Sequence, residues 1–156
     1  MGDIEIRLFP DVAPKTVANF DSLVSIDFYD GTAFHRVIPG FMIQGGDPNT
    51  KNRPDDKSTW GMGDPSQKTV PAEFSGLKHK RGILSMARKG GDINSATSQF
   101  FIMHDDSPNL DGQYTIFGEV TNGMEVVDKI TEVPKEGPHR SAPVQKITMQ
   151  IEKINK

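Results

Sequence analysis

The chain has 156 residues, 18 basic and 21 acidic side chains, a net charge of −3 and no cysteine. That length suits one domain, residues 1–156, around a single core. The composition excludes disulfides, thiolate catalysis and cysteine metal sites, and argues against bulk nucleic-acid or anionic-membrane binding. No run approaches the ~18 apolar residues of a membrane span, and the start lacks the basic-then-apolar pattern of a signal peptide. The expected location is cytoplasmic, with an export leader trimmed from the front as the other reading. Met1-Gly2 opens like a myristoylation signal, but Ile6 stands where Ser or Thr is needed. Nothing demands an oligomer, so a monomer is expected.

Ile4, Ile6 and Leu8 alternate with Asp3, Glu5 and Arg7, the period of a half-buried strand over 3–9. Between Asp11 and Ile26 the period changes. Val17, Phe20, Leu23 and Val24 recur at helical spacing after Pro14, which suits a first turn. Two strands follow, 34–38 and 41–45, broken at Pro39-Gly40. Phe41 and Ile43 are predicted on one face of the second, Met42 and Gln44 on the other. Residues 47–69 form a polar stretch long enough to be functional or mobile, with Trp60 and Met62 as its anchors. Strands are predicted at 81–88, 99–103 and 114–120. A helix is predicted at 123–131, with Asn122 as a possible cap, and a long alternating strand through Ile147, Met149 and Ile151. About eight strands and two helices, without β–helix–β order, favour an antiparallel barrel or sandwich. A closed barrel would remove exposed edges, and the helices would plug its ends.

The run Phe34 to Pro48, FHRVIPGFMIQGGDP, carries one arginine, large apolar side chains, one amide and a glycine pair, but no obvious nucleophile. It is equipped to grip an apolar group beside one positive donor. Strand parity puts Met42 with Gln44, and Gln99 with Phe101. An amide sharing a face with an apolar side chain, twice over, fits a groove of mixed lining.

FHRVIPGFMIQGGDP, GILSMAR (82–88), NSATSQFFI (94–102) and LDGQYTIFGEV (110–120) occur in this order. Together they resemble the cyclophilins, the cyclosporin-binding class of peptidyl-prolyl isomerases. The opening IEIRLFPDVAPKTVANF and the later NGMEVVDKI are similar too, so the resemblance spans almost the whole chain. It implies a mainly β fold, a closed eight-stranded antiparallel barrel capped by two α-helices. It also implies cis–trans isomerisation of X–Pro bonds in proline-containing or unfolded polypeptides, without cofactor or metal. Residue by residue, Arg36 matches the family's catalytic arginine. Phe41, Met42 and Gln44 match the proline pocket and adjoining groove, and Ala87, Arg88 and Lys89 a segment that binds peptide backbone. Gln99 matches an anchoring amide, Phe101 and Leu110 pocket walls. Tyr114 stands where many members have histidine. Asn109 stands where cyclosporin-sensitive members have tryptophan, which implies weak cyclosporin binding with activity retained. The connection 89–93, KGGDI, is longer than in many members, so Arg88 and Lys89 would favour acidic residues before proline.

These residue types suit the chemistry. Rotation about the C–N bond faces a barrier of ~18–20 kcal/mol and takes ~10–100 s unaided at 25 °C. Reaching about a millisecond needs ~10⁴–10⁵-fold, or ~5.5–7 kcal/mol. No bond changes partners, so no nucleophile is required. The twisted nitrogen gains a lone pair, and a guanidinium can donate to it. In this scheme Gln44 and Gln99 hold peptide backbone while the other side of the bond rotates.

Each residue also has a plainer reading. An isolated arginine is usually a surface or ion-paired group, and Phe41, Met42 and Phe101 would be core. His35 reads as structural, on the strand face opposite Arg36. His104, Asp105 and Asp106 are read as solvated loop rather than a metal site, since no second ligand cluster accompanies them. Gly45-Gly46 and Gly90-Gly91 lack the Lys-Ser/Thr of a phosphate loop. The basic run 78–81 has no aromatic RNA-binding motif beside it. Two other functions remain at this point: a proline-peptide binding module or chaperone using the same groove, and a metal hydrolase built on His104 with Asp105 and Asp106.

Overall fold

The computed structural model describes residues 1–154. The first alternating segment forms β1 (Glu5–Leu8), and the amphipathic segment forms α1 (Pro14–Ser25) with Phe20 and Val24 buried. Ala13 gives α1 no side-chain cap. Glu73 takes that role from a distant loop, accepting from the N–H groups of Lys15 and Thr16 at 3.1 and 2.6 Å and from Thr16 Oγ1 at 2.8 Å. A carboxylate there satisfies open helical donors and complements the helix dipole.

β2 (Phe34–Ile38) and β3 (Met42–Gly45) form the expected hairpin, followed by a one-turn helix α2 (Asn49–Asn52). Then come β4 (Ile83–Met86), β5 (Phe100–Met103), β6 (Ile116–Asn122), α3 (Met124–Thr131) and a short pair, β7 (Lys135–Glu136) and β8 (Ala142–Pro143). Six strands make one antiparallel sheet in the order β1-β6-β4-β5-β3-β2, and β7-β8 stand as a separate ladder.

This differs from eight strands in one closed barrel with two helices. Among the described residues the main ladder runs from β1 to β2 without closing, and α2 makes a third helix. The predicted last strand is present only as irregular pairing. Phe34 N donates to Ile147 O at 3.0 Å and Met149 N to Thr32 O at 2.9 Å, so 147–149 lie beside the turn entering β2. The cap of α3 is Gly123, at φ 97°, while Asn122 pairs with Glu5 inside β6. A Cβ at Gly123 would collide with Asp3 O, so the close approach of the segment leading into β1 selects glycine.

Alternation divides the sheet's side chains between two clusters. Ile43, Leu84, Met86, Phe100 and Ile102 join Phe20, Val24 and the α3 residues Val126, Val127 and Ile130 in the main core. Met42, Phe101 and Met103 enter a smaller cluster with Leu110, against which Phe41, Ala87 and Tyr114 pack. The site lies over this second cluster. Among the described residues, no helix is long and apolar enough to cross a membrane.

Candidate functional site

Strand register assembles the site. Arg36 pairs with Gln44, Gln44 with Phe101, and Phe101 with Ser85. Arginine, amide, aromatic and hydroxyl therefore stand in one row across β2, β3, β5 and β4. The hairpin, the 60s loop and the segment after β5 wall a cavity of about 390 Å³ over this row. Arg36, Phe41, Met42 and Gln44 line it from the hairpin, and Ala87, Arg88, Phe101, Leu110 and Tyr114 from the far side. Phe41 precedes β3 in the turn, so strand parity does not bind it, and it faces the cavity rather than following Ile43.

Arg36 is exposed, and its Nη1 donates to Gln44 Oε1 at 3.3 Å. Gln44 Nε2 donates to Gln99 Oε1 at 3.1 Å, and Gln99 Nε2 to Gly61 O at 3.0 Å. Gly61 N in turn donates to Asp47 Oδ2 at 2.5 Å. This relay ties the guanidinium to the fully buried Asp47. Gln99, expected as an anchoring amide for substrate backbone, stands behind the cavity lining, where its Oε1 holds Gln44.

Two other expected residues also lie outside the lining. Lys89 is exposed, with its N–H donating to Ser95 Oγ at 2.7 Å. Asn109 is exposed on a single 3-10 turn, where its Oδ1 accepts from Ser107 Oγ at 2.6 Å. Arg88 does reach the rim. Its guanidinium carbon sits 4.7 Å from the Tyr114 ring centroid, and its Nε donates to Gln113 O at 3.1 Å.

The structure adds His35, Trp60, Gly61 and Met62 to the lining. His35 and Arg36 face one cavity although they are neighbours on a strand. The β2–β3 register shifts between Phe34 and Arg36, and such a bulge re-aims side chains. Burial pushes the His35 imidazole down to about 4, Arg36 adding to the shift and the Asp47 charge opposing it. At neutral pH His35 is uncharged, so Arg36 is the cation on this wall. Gly61 approaches the imidazole so closely that a Cβ would lie 3.0 Å from its Nε2. The 60s loop is ordered from Asp47 and Asn49. Asn49 Nδ2 donates to Thr59 O and Gly63 O, both at 2.9 Å. The sequence marks this long polar stretch as functional or mobile; its wiring through one buried carboxylate is not marked there.

Behind the far wall, buried His79 stacks on Phe101 at 6.1 Å between centroids. Its ring bridges Asp111 Oδ1 and Ser85 Oγ, both at 3.0 Å. Burial lowers the His79 pKa, partly offset by the hydrogen bond and charge of Asp111. Tyr114 meets Phe101 edge-on at 5.7 Å. His104 is engaged elsewhere, its Nδ1 accepting from Gly40 N at 2.7 Å and its Nε2 lying 3.1 Å from Asp128. Among the described residues no three metal-ligating side chains converge.

The arrangement presents the Arg36 guanidinium, held by an amide, beside an aromatic and thioether floor, with Arg88 at the rim. Its sequence context decides the family. The model of the cyclophilin type peptidyl-prolyl cis-trans isomerase/CLD family matches residues 1–155. The chain belongs to the cyclophilin family. Among its relatives, a peptidyl-prolyl cis-trans isomerase B of Bacillus subtilis is 44% identical over 86% of this chain and 91% of its own. A probable peptidyl-prolyl cis-trans isomerase of Brucella suis is 50% identical over 83% of this chain, a match spanning 66% of that relative's length. A Cryptosporidium parvum cyclophilin type isomerase, crystallised in the presence of the dipeptide Ala-Pro, superposes with a TM-score of 0.82 at 32% identity. That match covers 99% of this chain and 94% of the other. The cyclophilin fold here is mainly β, with one large antiparallel sheet and three helices.

Proposed function

We propose that this chain is a peptidyl-prolyl cis–trans isomerase acting on X–Pro bonds in flexible or unfolded polypeptides. The observation that carries this reading is the Arg36 guanidinium, hydrogen-bonded by Gln44 above the Phe101–Met42 floor. The proline ring rests on Phe101, Met42, Leu110 and Phe41, an apolar surface that excludes water. Arg36 donates to the proline nitrogen as amide resonance is lost, stronger in the twisted state than in the planar one. One charge-assisted bond supplies about 1.5–3 kcal/mol, and the relay behind it reduces reorganisation. Pre-organised binding in the cavity supplies the remainder. Bond rotation transfers no group and so requires no cofactor.

The same reading extends to finer points. We infer that the two ladders and residues 147–149 together make up the eight-stranded cyclophilin barrel, and that the chain acts as a cytoplasmic monomer of one domain. Arg88, stacked at the rim, favours acidic residues before proline. Asn109 offers no indole surface or ring N–H, so cyclosporin binds weakly.

The test is magnetisation exchange on an Ala–Pro peptide. Wild-type protein is expected to drive fast exchange, and Arg36→Ala to lower kcat/KM by roughly 10- to 150-fold, the equivalent of that one bond. Peptide binding without exchange by the wild type would point to a binding module instead.

A further inference from the structure

A second cavity, of about 140 Å³, adjoins the first. His35 and Trp60 line both, so they form a shared wall. The smaller cavity is completed by Lys57 and Lys146 with Phe34, Ala142 and Pro143. Trp60 is a held platform, because its Nε1 donates to Arg53 O of the same loop at 3.0 Å. Both ammonium groups gather on it, Lys57 Nζ at 5.6 Å and Lys146 Nζ at 5.8 Å from the ring centroid.

The local charge is not balanced. Lys57 pairs with Glu136 at 3.0 Å. Among the described residues no carboxylate lies within ion-pair distance of Lys146. Lys146 therefore shares the indole with a lysine that already has its carboxylate, and brings a further positive charge to it. On a chain of net charge −3 this is a local positive site, set against the groove that holds Arg36 across the His35–Trp60 wall. A carboxylate seated over Trp60 would accept from Lys146 and balance its charge, with its methylene stem against the ring.

We propose that the cavity between Trp60, Lys57 and Lys146 is a subsite for an acidic side chain of the client polypeptide, on the side of the proline that passes His35. The proposal rests on the isomerase reading above and adds a sequence preference to it. It is distinct from the preference assigned to Arg88, which stands on the opposite wall of the larger cavity.

The experiment uses Ala–Pro peptides carrying either Glu or Gln at each of several positions on both sides of the proline. Exchange kinetics are read with the wild type, Lys146→Ala and Lys146→Glu. Glu is expected to exceed Gln in kcat/KM by about three- to fivefold at one or two positions on one side, through KM, as for an exposed ion pair. Lys146→Ala is expected to abolish that gain, and Lys146→Glu to make Lys the preferred residue there, with the all-neutral peptide turned over at the wild-type rate. A Glu-to-Gln ratio near one everywhere, or a gain untouched by both variants, overturns the proposal. Trp60 is the single tryptophan, so its fluorescence gives a binding readout independent of turnover. Absence of exchange with the neutral peptide defeats the isomerase reading. Absence of a Glu-dependent, Lys146-dependent fluorescence change defeats the subsite alone.

Discussion

Replacing His35 by glutamine should flatten part of the acid dependence of stability. The imidazole is pushed by burial from the ordinary 6.5 down to about 4. Above pH 6.5 it is neutral in folded and unfolded chains alike, and contributes no pH dependence. As pH falls through 6.5 the unfolded chain gains a proton that the folded chain refuses, so folding loses free energy. The loss saturates below about pH 4 and amounts to roughly 3 kcal/mol, at 1.36 kcal/mol per pH unit of displacement. Lowered carboxylate pKa values at Asp111 and Asp128 also make stability fall in acid, but on both proteins and at lower pH. Urea unfolding of wild type and His35→Gln at pH 7.5, 6, 5 and 4 isolates the histidine from them. The wild-type stability, relative to the variant, should drop by about 3 kcal/mol across this range. Parallel curves would refute the neutral, desolvated imidazole beside Arg36.

Gln99→Leu keeps the strand but severs the link between Gln44 and Gly61. It should lower kcat about three- to tenfold with KM nearly unchanged in exchange kinetics, as expected for losing a hydrogen bond of about 1 kcal/mol that acts through Arg36. A KM effect alone would make Gln99 a substrate contact after all. Gly123→Ala must place a Cβ against Asp3 O at a positive φ. A loss of more than about 1 kcal/mol in chemical unfolding is expected, and a neutral result would mean β1 shifts freely. Cyclosporin should inhibit only weakly, and Asn109→Trp should strengthen its inhibition at least tenfold in titration of activity. No change with the tryptophan would remove Asn109 as the determinant.

Much of the strand and helix order is legible from periodicity. Alternation separated Met42 from Ile43 and Phe101 from Phe100, and these pairs do divide between the two clusters. What periodicity cannot carry is a break in its own period. The register shift before Arg36 places His35 on the cavity wall, and no local signal marks it. Likewise Asn122 carries a good capping side chain, but the close approach of Asp3 and Ile4 favours Gly123 instead. Trp60 and Met62 were expected to anchor their loop. The main anchor is Asp47, whose role depends on N–H groups 14 and 16 residues away. His79 behind Phe101 was invisible for the same reason: the contact joins residues whose sequence spacing obeys no period. The expected closing strand pairs through an irregular turn, which alternation of Ile147, Met149 and Ile151 does not report.

The row Arg36, Gln44, Phe101, Ser85 makes the site a test of its own assembly. Its four members come from strands joined by both a short turn and a stretch of more than fifty residues, and each must meet its partner in one register. A slip of one residue in any pairing would turn that strand's contribution to the opposite face. Partly paired chains can hold helices and local turns, yet none can hold half of this row and keep the cavity. A molecule with the groove open to a client is therefore one that has already completed its long-range pairing, so competence and correct folding arrive together.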